Sequence, residues 1–117
     1  MASVLFLVFR LARMGILVEN YTTQNGQTIP QLYIYVKAIR IVKDISGSTY
    51  TCSFHCCAHM SYQDRLAGTN IVLLNPPFLL PQKSFALETL LEKSSFSLGY
   101  EILKEKLSEA GYVSTDA

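Results

Sequence analysis

The apolar positions of this chain follow two periods. From Gln31 to Asp44 they alternate, and from Leu98 onward they recur at helical spacing. The alternating stretch, QLYIYVKAIRIVKD, is rich in β-branched and aromatic residues and holds no breaker, so it predicts a long strand. One parity carries Leu32, Ile34, Val36 and Ala38, the expected buried face. The other carries Tyr33, Tyr35, Lys37, Ile39 and Ile41. DISGS (44–48) supplies a tight connection, and TYTCSFHCCAHMSY (49–62) is the expected hairpin partner. Ahead of this hairpin, Gly15 to Glu19 predicts a short strand. The polar stretch 19–30, with Asn25-Gly26 and Pro30, predicts a turn.

Beyond the hairpin, QDRLAG (63–68) predicts a helical turn ended by Gly68 in a left-handed cap. Ile71–Leu74 reads as a short buried strand. Pro76, Pro77 and Pro81 predict an extended, irregular path. Residues 83–95 read two ways: a strand, by alternation at Phe85 and Leu87, or a short helix from Ala86 to Lys93. The last element is the clearest. Ser97 can cap a helix over 98–110, with Gly111 at its C′ position. Leu98, Ile102, Leu103, Leu107 and Ala110 make its apolar stripe, and Glu101, Lys104, Glu105, Lys106 and Glu109 cover the rest. The tail after it reads as peripheral. The expected fold is α+β and β-rich: a small antiparallel sheet, sandwich or open barrel, with the C-terminal amphipathic helix packed on it. The expected organisation is one domain over 14–117, preceded by an apolar arm over 1–13.

The arm, MASVLFLVFRLAR, places Arg10 and Arg13 after its apolar run, the reverse of a signal peptide. The run is also far short of the ~20 residues that cross a bilayer, so no membrane anchor is expected. As an extended segment it would seek a sheet edge, and a neighbouring subunit is the simplest thing to bury it. Met14 is a second candidate start. Composition adds to this picture. The chain has 117 residues, enough for one domain. Charged residues make up 16% of it, below the ~25% usual for soluble domains, which favours a subunit that hides surface against partners. The net charge is +1 with no basic stripe, so no nucleic-acid partner is expected.

Candidate chemistry is confined to one stretch. Cys52, His55, Cys56, Cys57 and His59 fall within eight positions, and the chain has no other cysteine or histidine. Strand alternation splits them. Tyr50, Cys52, Phe54, Cys56, Ala58 and Met60 point inward as a core stripe; Thr51, Ser53, His55, Cys57, His59 and Ser61 point outward. Zinc needs four converging ligands, whereas i and i+2 neighbours on a strand lie ~6.6–7 Å apart. No second cluster could complete such a site, so no metal or cofactor is expected. A Cys57–histidine nucleophile would need a cleft that a flat strand lacks. Three cysteines, two of them adjacent, do not read as a disulfide framework. Asp44, Asp64, Glu88 and Glu92 form no acid pair, and no glycine-rich phosphate loop appears. The expectation is a protein without catalysis. Tyr33, Tyr35, Tyr50 and Tyr62 read as a contact surface or as cross-strand packing.

The order of features, YTTQNGQTIPQLYIYVKAIRIVKD, a hairpin mate, YQDRLAGTN, a proline-rich stretch and GYEILKEKL, resembles small virion structural proteins of tailed bacteriophages, of the tail, baseplate and decoration type. In these, a strand follows a polar turn P-x-x-Y-x-x-V, and x-x-R-x-A-G and Y-x-x-L-K segments come later. The resemblance spans about residues 14–112 and does not include the cysteine–histidine cluster. It implies a structural subunit that assembles with copies of itself and with other virion proteins, as a homo-oligomer in a virion built in the host cytoplasm. The expected assembly interface is Val4, Leu5, Phe6, Leu7, Val8, Phe9, Tyr33, Tyr35, Phe78 and Leu79. The alternative is a small metal-binding or redox regulatory domain using the 52–59 cluster.

Overall fold

Both long strands form and pair with one another. A computed structural model describes residues 15–45 and 47–117; the arm, with Val4 to Phe9 of the expected interface, lies outside them. In chain order the elements are β1 (Ile16–Thr22), β2 (Thr28–Lys43), β3 (Thr49–His59), α1 (Tyr62–Ala67), β4 (Ile71–Val72), α2 (Pro76–Leu79), β5 (Gln82–Ala86), α3 (Leu87–Glu92), α4 (Ser95–Glu109) and β6 (Ser114–Asp116). The strands make one six-stranded sheet in the order β4-β3-β2-β1-β6. Every pairing is antiparallel, and β5 shares the outer edge of β3 with β4. The fold is therefore α+β and β-rich, with an open sheet not closed into a barrel and a C-terminal helix packed on it.

The expected alternation in β2 holds only as far as Val36. Val36 lies opposite Cys56, but Ala38 lies opposite His55, so Lys37 is the extra residue of a β-bulge. The bulge reverses the phase of the strand. Leu32, Ile34 and Val36 are buried before it. After it Ile39 and Ile41 face Phe54 and Cys52 across the ladder, and Ala38 is exposed rather than buried. The sequence carries both halves of this switch, since Ile39 and Ile41 have the opposite parity from Ile34.

One face of the sheet meets α4. Leu98, Ile102, Leu103 and Leu107 from the helix close over Cys52, Phe54, Cys56 and Ala58 from β3 and over β1 and β2. The helix starts earlier than its polar residues suggest, at Ser95, and ends at Glu109, which leaves Ala110 exposed as its C-cap. Gly111, at φ +85°, then allows a Schellman turn: its N–H donates to the Ser108 carbonyl at 3.0 Å, and that of Tyr112 to the Leu107 carbonyl at 2.9 Å. This turn aims the tail back at the sheet, where it forms β6 beside β1 instead of remaining peripheral.

Two further expectations are corrected, and one open reading is resolved. Pro76 and Pro77 do not hold an extended path; they open α2, because a helix's first turn has no use for their missing donors. Residues 83–95 adopt both predicted forms in succession, β5 and then α3. The Ile71–Leu74 segment buries only Leu74, and its strand is the two-residue β4 at the sheet edge.

Two aspartates fix the turns. The Asp44 carboxylate accepts the hydroxyls of Thr49 and Thr51, both at 2.6 Å, across the β2–β3 turn. Asp64 accepts from Asn70, Ser61 and Thr69 around α1, while its own N–H donates to the Ser61 hydroxyl. These bonds hold both carboxyls below the usual carboxylate range, chiefly Thr49 for Asp44 and Asn70 for Asp64. A pKa lowered by folding contributes stability that is complete above the unfolded value and is lost as pH falls through the folded one. The melting temperature should accordingly fall below about pH 4, and the double variant Asp44→Asn/Asp64→Asn should flatten that fall. Parallel slopes in a pH series would show that other groups are responsible.

Candidate functional site

The cysteine–histidine stretch occupies β3, and its members part as strand geometry requires. Cys52 and Cys56 are buried in the core among Phe54, Ala58 and α4. Burial raises the Cys52 thiol and, with the nearby Cys57, pushes Cys56 up to about 12. The Cys56 thiol donates to the Phe54 carbonyl at 3.7 Å. Met60 lies past the end of β3 and is exposed, not part of the core stripe. On the opposite face His55 is exposed and Cys57 half-buried. His59 departs from its expected polar, outward setting: it is only 4% exposed.

What buries His59 is α1 and the loop that follows it. Its Nδ1 lies 2.7 Å from the Thr69 carbonyl. A carbonyl only accepts, so Nδ1 carries the proton. Nε2 then accepts from the Tyr35 hydroxyl at 3.3 Å, and the imidazole stacks on the Tyr35 ring at 5.7 Å. Arg65, from α1, lies 3.9 Å above the centroid of the Tyr35 ring and donates to the Tyr33 hydroxyl at 3.2 Å. Tyr62 meets Tyr33 edge-on at 5.7 Å. Beneath Tyr33 passes Gly15, where any Cβ would stand 2.3 Å from the ring. Tyr33, Tyr35, His59 and Arg65 thus dock α1 on the sheet.

This geometry uses both His59 nitrogens and sends two of the three thiols into the core. Among the described residues, no three histidine, cysteine, aspartate or glutamate side chains converge as a metal site would require. The thiols should report the same division. In the folded chain iodoacetamide should label Cys57 alone, and Cys52 and Cys56 should react only on unfolding. Peptide mass spectrometry before and after urea reads this directly; a native adduct on Cys56 would contradict the buried placement.

Of the expected interface residues inside the described region, two are occupied within the chain. Tyr33 is buried under α1. Phe78 is buried edge-on to Tyr21 and Tyr112, at 6.0 and 5.9 Å, because the short α2 turns its ring inward. Tyr35 and Leu79 are half-buried. Leu79 lines an open groove of about 450 Å³ with Leu80, Ala38, Ile39, Arg40, Ser53 and His55.

A second apolar surface lies at the β4 edge, where the sequence predicts a buried strand. Ile71 is 72% exposed and Leu73 73%. With Met60, Val72 and Ile29 they line a groove of about 420 Å³, whose polar wall is Thr23, Gln24, Asn25 and Gln27. The length of β4 is the reason. Its two residues pair only with Ala58 and His59 at the rim of the sheet, and no described strand lies outside them to cover Ile71 and Leu73. The signal was present as the apolar run IVLL before the prolines, but nothing in it tells a covered strand from an uncovered one.

Fold and surface together define the class: an α+β protein with one open antiparallel sheet, helices on both faces, and an apolar patch on a short edge strand. No protein-family description, curated protein or solved structure matches the chain.

Proposed function

We propose that this chain is a structural subunit of a tailed-bacteriophage virion, a tail, baseplate or decoration component that acts by protein–protein assembly and not by catalysis. The observation that carries the assembly half is the β4 patch. Contiguous exposed apolar surface rimmed by polar residues marks interaction sites, whereas single exposed side chains do not. The virion half is supported by the resemblance of residues 14–112 in the order of their strand, hairpin and helix segments. On this reading the groove of Met60, Ile71 and Leu73 receives another subunit, and the low charge of the chain reflects surface hidden in the particle.

Sedimentation of the full chain tests the reading. It should self-associate in a concentration-dependent way, and Ile71→Lys/Leu73→Lys should return it to monomer without moving the melting temperature by more than a few degrees. The interface should exceed ~1,000 Å² in total. A chain that stays monomeric at high concentration, and captures no virion protein from an infected-cell lysate, would sink the reading.

A further inference from the structure

The β4 patch is not the only unfinished boundary of the sheet. β3 follows β2 along its full length to Lys43, but β1 leaves β2 at the Ile16–Ile34 pair. From there to Lys43, no described strand lies on the β1 side of β2. The Tyr100 hydroxyl caps the point of departure, accepting the Val36 N–H at 3.1 Å.

Which backbone groups face this side of β2 follows from two bonds. The Phe54 N–H donates to the Pro81 carbonyl at 2.9 Å, so residue 54 points away from β2. Its partner Ile39 therefore points away from β3, as both members of a non-hydrogen-bonded antiparallel pair do. Alternation sends Ile41 and Lys43 the same way. The Asp44 N–H, which donates back to Thr49 at 3.0 Å, confirms the phase. The N–H and C=O groups of Ile39, Ile41 and Lys43 thus form a ready ladder about 14 Å long, at ~3.4 Å per residue.

The side chains around that ladder select its occupant. Lys37, Arg40 and Lys43 fall within seven residues, against a single carboxylate, Asp44, already held by Thr49 and Thr51. The ion pairs among the described residues, Lys83–Glu105, Lys93–Glu101 and Lys104–Asp116, are all elsewhere. Ile41 and Val42, on opposite faces, are each nearly half exposed. Antiparallel pairing with a second copy of this edge would set cations against cations. That pairing is electrostatically disfavoured.

We infer that the edge of β2 over 37–43, which no described strand covers on the β1 side, is a strand-addition site for an extended segment of another protein in which acidic and apolar residues alternate. Main-chain bonds to Ile39, Ile41 and Lys43 supply affinity. Carboxylates beside Lys37, Arg40 and Lys43, and apolar side chains beside Ile39 and Ile41, supply selection. This goes beyond the assembly reading, which needs neither this edge nor this partner chemistry.

The test uses the full chain and a dye-labelled peptide of alternating valine and glutamate, with its lysine counterpart as control. Fluorescence anisotropy should show saturable binding of the glutamate peptide, at least about tenfold tighter than the lysine one. The amides of Ile39, Ile41 and Lys43 should become slow to exchange on binding. Ile41→Pro removes an outward donor without touching the β2–β3 ladder and should abolish binding. Lys37→Glu/Arg40→Glu, a surface change, should reverse the preference between the peptides even if the proline variant folds poorly. Equal affinity for both peptides, or amides already protected without peptide, would overturn the proposal. Sedimentation without peptide separates the two ideas: a chain that self-associates but ignores the glutamate peptide defeats this proposal alone.

Discussion

A chain carrying Phe54→Ala is expected to unfold about 3–5 kcal/mol more easily than the parent, the usual range for emptying a buried aromatic site. Phe54 is fully buried at the centre of β3. Ile39 lies across the ladder from it, and Gly99 of α4 lies against its ring. Removing the ring leaves a space bounded by a strand paired on both sides and by the longest helix, so the walls have little room to collapse. Domains have only about 5–15 kcal/mol in total, so the loss should move the urea midpoint strongly with little change in slope. A midpoint shift worth less than about 1 kcal/mol would mean that α4 settles into the gap, contrary to the rigidity of close-packed cores.

Gly99→Ala is the second large effect, and its sign is the informative part. On an exposed helix the change would stabilise by up to about 1 kcal/mol. Here a Cβ at position 99 would stand 2.7 Å from Cδ1 and 3.2 Å from Cε1 of Phe54, and the ring has no free space into which to turn. Overpacking of this kind costs roughly 1–3 kcal/mol, so the net change should be destabilising. The two sites are in contact, so they should couple. In a Phe54→Leu background the penalty of Gly99→Ala should shrink by about 0.5 kcal/mol or more. Additive effects in the four-member cycle would show that the helix–sheet approach is not set by this pair.

The parts of the fold that were legible in the sequence are those where local pattern and tertiary setting agree. The β2–β3 hairpin follows from alternation and a turn, α1 from Gly68, and α4 from its leucine stripe and Gly111. The departures have specific physical causes. A bulge is invisible to a period-two reading unless the phase change at Lys37 is sought. Proline signals the end of one element and equally the first turn of another, as at α2. Burial depends on what stands opposite: alternation sends His59 outward, where α1 covers it, and the apolar run sends Ile71 inward, where a two-residue β4 leaves it exposed. The cysteine–histidine stretch was separable by alternation alone for Cys52 and Cys56. The docking of His59 with Arg65 and Tyr35 was not, because it joins residues whose proximity only the path of α1 creates.

The bulge at Lys37 also sets how this strand tolerates change of two different kinds. Position 37 is an exposed lysine in a conformation that many side chains can share, so substitutions there should be nearly silent. Deleting the same residue only removes the bulge: Val36 and Ala38 become neighbours opposite Cys56 and His55, and Ile39 and Ile41 keep their inward phase and their partners Phe54 and Cys52. Deleting a residue of the regular partner strand, such as Ser53, is a different event, because it turns one half of β3 to the other face. A library of single deletions would therefore find Lys37 tolerant where the positions of β3 around Ser53 are not.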